Sequence, residues 1–243
     1  MPQNTSAVAQ QWIDIAPDLR GYLAHPADDR PHPIVLVFIE IFGINPHFQK
    51  IAVRLAEAGF TALVPDIYHG HVFDYSDSSN AIAHLRTLDD EQVMREAAFS
   101  LEFIRGQSCA SEAVGALGFC MGGRYAFLAN AALGSRLRAS VAFYGGGIAP
   151  EHDTVGRKPL LNRVPEMQAP LLLQYGSADQ SIQPAEHARI VEALSSAHKR
   201  YSLEVYPGVN HAFFCDERPN YDPDAAAQGW QRTLDFFHRH LGD

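Results

Sequence analysis

The sequence predicts one α/β domain over residues 1–243, with a mostly parallel central sheet and helices on both faces. Three observations carry that prediction. Short apolar, β-rich runs alternate with helix-period stretches along the chain, the pattern of parallel strands buried beneath crossover helices. A Gly-x-Cys-x-Gly element joins one such run to a small-residue helix. No Ser/Gly-rich linker divides the 243 residues, a length that suits a single large α/β unit.

The elements follow in order. Trp12 to Ile15 and Leu19 to Ala24, around an Ala16-Pro17-Asp18 turn, read as an opening hairpin. IVLVFIE (34–40) is a continuous run suited to a strand buried on both faces. Phe48, Ile51, Ala52, Leu55 and Ala58 recur at helical period over 47–58, and Gly59 closes that helix. TALVPDI (61–67) is the next strand; 81–105 reads as helical, with an interruption near Asp89 and Asp90. VGALGF (114–119), SVAFYG (140–145), LLLQYG (171–176) and LEVYP (203–207) are further strands, and helices are expected over 121–132, 184–196 and 224–240. The stretches 68–80 and 146–168 are irregular and follow strand ends, the rim where ligands bind in such folds.

Composition removes several classes of function. Lys plus Arg total 19 against 28 Asp plus Glu, a net charge of −9. An acidic chain lacks the electrostatic footprint of a nucleic-acid or anionic-membrane binder, so neither is an expected partner. Residues 1–12 show no basic segment followed by an apolar one, and Ile34 to Ile39 is too short to span a bilayer. A cytoplasmic protein, monomeric or a small homo-oligomer, is expected. Three cysteines cannot all pair internally, which suits a reducing compartment or one thiol kept free.

The chemistry centres on Gly118-Phe119-Cys120-Met121-Gly122. This is the nucleophile elbow of the α/β-hydrolase fold with Cys in place of Ser. A side chain at either glycine would crowd the neighbouring strand or helix, and the turn lifts Cys120 to a helix N-terminus that favours thiolate. The Met121 N–H is positioned for a developing oxyanion. In this fold the acid and histidine follow the nucleophile along the chain. Asp179 follows the strand LLLQYG, and His211 follows LEVYP in a loop opened by Pro207 and Gly208. Glu40 ends an otherwise apolar strand, a costly place for a carboxylate unless it is paired or functional. The Ile41 N–H beside it is the expected second oxyanion donor.

With these residues in place, the chain resembles the dienelactone hydrolase (carboxymethylenebutenolidase) family. The likeness runs from about residue 17 to 240, on FIEIFG (38–43), AGFTALVPDIY (58–68), GALGFCMGGRYAF (115–127), AFYGGG (142–147), QAPLLLQYGSADQSI (168–182), YPGVNHAFF (206–214) and RPNYDPDAAAQGWQRTLDFF (218–237). It implies a Cys120–His211–Asp179 triad without cofactor or metal, and a Glu40 that holds the resting thiol and takes its proton when substrate arrives. It also implies a pocket lined by Tyr144, with Phe42, His69 and Phe213 as further expected lining. Members that cleave dienelactone grip its carboxylate with two arginines. One lies four residues past the catalytic His, where this chain has Cys215. The other lies in the helical region after the second core strand, where Arg86 and Arg95 stand. Arg124 and Arg218 fall at neither position. The expected activity is cysteine-dependent cleavage of a small-molecule ester or lactone through a thioester. A general small-ester carboxylesterase is the alternative, and a thiol redox sensor or a non-catalytic binding module is the reading from another class. His69-Gly70-His71 lacks the residues to complete a metal site, and Cys109 has no assigned role.

Overall fold

IVLVF (34–38) is fully buried, and it lies in the middle of an eight-stranded sheet. The computed structural model describes residues 7–152 and 155–242. The strands are β1 (Val8–Ala16), β2 (Leu19–Pro26), β3 (His32–Phe38), β4 (Thr61–Pro65), β5 (Ala110–Phe119), β6 (Ala139–Phe143), β7 (Leu171–Gly176) and β8 (Tyr201–Tyr206). Their order is β1-β2-β4-β3-β5-β6-β7-β8. The opening hairpin pairs antiparallel within itself and onto β4, and every other pairing is parallel.

Helices α1 (Pro46–Glu57) and α6 (Pro223–Leu241) cover one face, α3 (Asp90–Arg105) and α4 (Met121–Ala132) the other; α2 (Ser78–Leu85) and α5 (Pro184–Ser196) complete the set. α1 and α6 meet through the Arg54 guanidinium, 4.2 Å above the Trp230 ring. The expected interruption of 81–105 is a full break: Asp89 leaves helical geometry and accepts from Gln92 N at 2.8 Å, starting α3 afresh. Among the described residues of 146–168, one short 3-10 segment, Leu161–Glu166, forms.

Strand order decides where the site lies. From β3 the chain moves outward to β4 and then returns to β5 on the opposite side. Loops leaving β3 and β5 therefore diverge, and a crevice opens beyond their carboxyl ends. Glu40, Ile41 and Phe42 leave β3 there, and Cys120 leaves β5.

Candidate active site

Steric crowding builds the elbow. β5 ends at Phe119 and α4 starts at Met121, leaving Cys120 alone between them with φ 55° and ψ −118°. A Cβ on Gly118 would lie 1.8 Å from the Gly122 carbonyl oxygen, and one on Gly122 would lie 2.0 Å from that of Phe38. Only hydrogen fits at either place, so the strained turn and its glycines come together. Cys120 is the N-cap of α4 and makes no capping bond through its side chain. Its sulfur is thus left for other partners, while its carbonyl accepts from the Gly123 N–H at 3.0 Å.

That partner is His211, whose Nε2 lies 3.3 Å from Cys120 Sγ. Its Nδ1 lies 2.7 Å from Asp179 Oδ2. The other carboxylate oxygen, Oδ1, accepts from the N–H groups of Ser181 (2.8 Å) and Ile182 (3.1 Å). The acid is therefore clamped before it meets the histidine. Residues 91 and 32 positions apart in sequence form one unbroken chain of contacts. Burial by itself pushes the His211 imidazole toward neutrality. Negative charge at Cys120 and the bonds to Asp179 and Cys120 outweigh it, and the pKa rises to about 10.

Glu40 lies beyond the end of β3, fully buried. Its Oε1 accepts from the Tyr144 hydroxyl at 3.1 Å, and its Oε2 lies 3.5 Å from Arg218 Nη1. The expected resting contact between Glu40 and the thiol is replaced by these two, because Arg218 supplies the counter-charge and the sulfur faces His211. Tyr144 (φ 36°) and Phe213 are wholly buried. Tyr144 meets the imidazole edge-on, ring centroids 5.1 Å apart, and Phe213 backs Tyr144. Tyr144 supports the histidine directly and Phe213 supports Tyr144; neither lines the cavity. His69 is elsewhere: it pairs with Glu96 at 3.2 Å and borders a separate surface cleft with Asp18 and Arg20.

The active-site cavity has a volume of about 410 Å³. Cys120, His211, Ile41, Phe42 and Met121 line it, with Ile82 and Ile182 adding apolar wall. Both expected oxyanion donors thus border the space the sulfur faces. Arg124, Arg157 and Arg218 line the same cavity. Arg218 reaches it because its loop is strapped to the rest of the molecule. Asp216 lies 3.4 Å from His47 Nδ1, Glu217 accepts from Lys50 Nζ at 3.0 Å, and the Arg218 guanidinium lies over Phe42 (5.3 Å) and Tyr75 (5.9 Å). Cys215 within that strap is fully buried and donates to the Tyr75 hydroxyl at 3.2 Å. Burial pushes its thiol up to about 11. Sequence reasoning placed neither Arg218 nor Arg157 at the site. For Arg218 the one available signal was its place seven residues past His211, in a segment rich in family-like residues.

Known proteins resemble this chain in sequence and fold. The family model for the dienelactone hydrolase family matches residues 19–241. A Yersinia pestis protein provisionally named a carboxymethylenebutenolidase is 37% identical over 228 residues, covering 92% of this chain and 84% of that protein. A Bradyrhizobium protein provisionally named a 2-oxo-3-(5-oxofuran-2-ylidene)propanoate lactonase is 33% identical over 244 residues, covering 98% and 97%. The crystal structure of a provisionally named dienelactone hydrolase from Klebsiella pneumoniae superposes with a TM-score of 0.89 at 30% identity, covering 96% of this chain and all of that one. Fold, elbow and family match converge: this chain belongs to the dienelactone hydrolase family of α/β-hydrolases and is a hydrolase acting on lactone or ester bonds.

Proposed function

We propose that the protein cleaves a small lactone or ester bearing a carboxylate, through a thioester on Cys120. The unbroken Cys120–His211–Asp179 chain at the cavity carries this reading. The Cys120 sulfur, its proton resting on His211, attacks the carbonyl carbon. The N–H groups of Ile41 and Met121 hold the tetrahedral oxyanion, where one well-placed donor contributes about 3 kcal/mol to the transition state. As that intermediate collapses the carbon–oxygen bond breaks, and the leaving oxygen takes the proton from His211 Nε2. The neutral imidazole next removes a proton from water, and the resulting hydroxide attacks the thioester. Departure of the thiolate restores the sulfur beside a protonated His211 and releases the acid. Asp179 keeps the ring in register and stabilises its positive form.

Arg218 supports the carboxylate preference. It lines the cavity, and only one long contact ties it to Glu40, which leaves N–H groups of its fork for a second carboxylate. Arg218 thus stands in for the grip that Cys215 cannot provide. The three free thiols support residence in a reducing compartment such as the cytoplasm.

Steady-state turnover of a carboxylate-bearing aryl ester and a neutral one tests the reading. Cys120→Ala is expected to lose several orders of magnitude on both, and Arg218→Gln to lose the preference for the charged ester on top of any loss common to both from an unpaired Glu40. Unchanged turnover by Cys120→Ala refutes the mechanism. An unchanged preference in Arg218→Gln refutes the carboxylate assignment and favours a general carboxylesterase.

A further inference from the structure

Arg124 is the most deeply buried cation in the described structure, 1% exposed, one turn past the nucleophile on α4. It lines the active-site cavity, as does Arg157 from the segment after β6. Its Nη2 donates to Asp90 Oδ2 and to the Lys158 carbonyl (2.9 Å), and its Nη1 to the Gly147 carbonyl. Asp90 is divided: its Oδ1 accepts from Arg157 Nη2, and the Arg157 guanidinium lies 5.1 Å over the Tyr125 ring. Arg124 therefore shares its carboxylate with a second guanidinium. Its Nε is buried and has no acceptor among the described residues. A buried guanidinium N–H without an acceptor is costly unless a ligand supplies one.

This arrangement does not involve Arg218. Arg218 lies over Phe42 and Tyr75 and meets Glu40, whereas Arg124 and Arg157 centre on Asp90 and Tyr125. The cavity thus has two separately built cationic walls. Glu186, also on its wall, is engaged by the Ala149 N–H at 2.9 Å.

We infer that Arg124 and Arg157 form a second anion subsite, so that the enzyme selects substrates carrying two anionic groups, one met by Arg218 and the other by the Arg124–Arg157 wall. The inference rests on the proposed function, since it assigns the second charge of the substrate that Cys120 attacks. Substrates of this class are lactones bearing two carboxylates, or half-esters of a dicarboxylic acid whose alcohol part carries the second carboxylate, with the reacting carbonyl between the charges.

Four aryl esters separate the possibilities: 4-nitrophenyl acetate, 4-nitrophenyl hydrogen adipate, 3-carboxy-4-nitrophenyl acetate and 3-carboxy-4-nitrophenyl hydrogen adipate. They carry no carboxylate, one on the acyl chain, one on the leaving group, and both. The wild-type enzyme is expected to prefer the doubly charged ester. Arg157→Gln should lower kcat/KM by about tenfold or more for esters carrying one of the two carboxylates, while Arg218→Gln lowers it for those carrying the other. Arg157→Lys should keep part of the preference. An equal loss on all four esters in Arg157→Gln, or loss of the same carboxylate in both variants, overturns the subsite. If Arg157→Gln does not fold, calorimetry on Cys120→Ala decides the matter. Adipate is expected to bind about tenfold or more tighter than hexanoate, and equal affinities overturn the inference. Failure of the thioester reading is distinguishable, because it would show as Cys120-independent turnover of the uncharged ester.

Discussion

Asp179→Asn changes one oxygen to an amide and leaves volume intact. In the native site Oδ1 is clamped by two backbone N–H groups and Oδ2 lies 2.7 Å from His211 Nδ1. The amide oxygen takes over the backbone contacts, so the NH₂ group faces the imidazole. It cannot accept from Nδ1–H, which drives the ring to the wrong tautomer. A charge-assisted bond of this kind is worth about 1.5–3 kcal/mol. At about 1.4 kcal/mol per pH unit, its loss lowers the His211 pKa, raised to about 10 in the native site, by one to two units. His211 must be protonated to release the leaving oxygen, so activity falls as pH rises through its pKa. The alkaline limb of the kcat/KM profile should therefore move from near 10 to between about 8 and 9. The rate at neutral pH should drop by about 10² to 10⁴ from misorientation. Initial rates on a chromogenic ester from pH 6 to 11 give both quantities. An alkaline limb that stays in place, with a rate within a factor of about two of wild type, would refute the argument.

Further predictions follow from the same geometry. Gly122→Ala puts a methyl 2.0 Å from the Phe38 carbonyl oxygen; calorimetric unfolding should show a loss of about 3 kcal/mol, or about 6–12 °C in Tm, with activity lost as the elbow shifts. The folded pKa of His211 lies above the usual histidine value of 6.5, so its contribution to stability is complete below that value and is lost as pH rises toward 10. Denaturant titrations at pH 6 and pH 10 should show this decline, and Asp179→Asn should flatten it. Iodoacetamide should label Cys120 well before Cys215, because Cys215 is fully buried and its thiol is pushed up to about 11; peptide mapping over a labelling time course reads the order. Cys215→Ala should retain wild-type turnover and lose about 1 kcal/mol of stability with the Tyr75 contact.

Much of the architecture is legible in the chain because local sterics dictate it. Gly118 and Gly122 announce the elbow by spacing alone, and continuous runs such as 34–38 announce strands buried on both faces. Asp179 and His211 are readable because strand ends in a parallel sheet all reach one rim. What stays hidden is pairing over long separations. Glu40 is recognisable as a carboxylate in need of a partner, yet Arg218, 178 positions away, reaches it only through the strap tied to His47 and Lys50. Arg157 is hidden for a similar reason: its place depends on Asp90, 67 positions earlier, at the start of α3. The family resemblance implies Tyr144 as pocket lining, and Phe213 is expected beside it. Their rings turn inward instead, where burying them stabilises the core and props the imidazole.

The thioester itself is the most direct test of the account. Rapid acid quench during turnover of a slowly deacylated aryl ester, followed by intact-mass and peptide analysis, should find the acyl group on Cys120. The adduct should form before product acid appears, decay at the rate of turnover and vanish in Cys120→Ala. Steady turnover with no acyl adduct on Cys120, or full activity without that sulfur, would contradict the central claim.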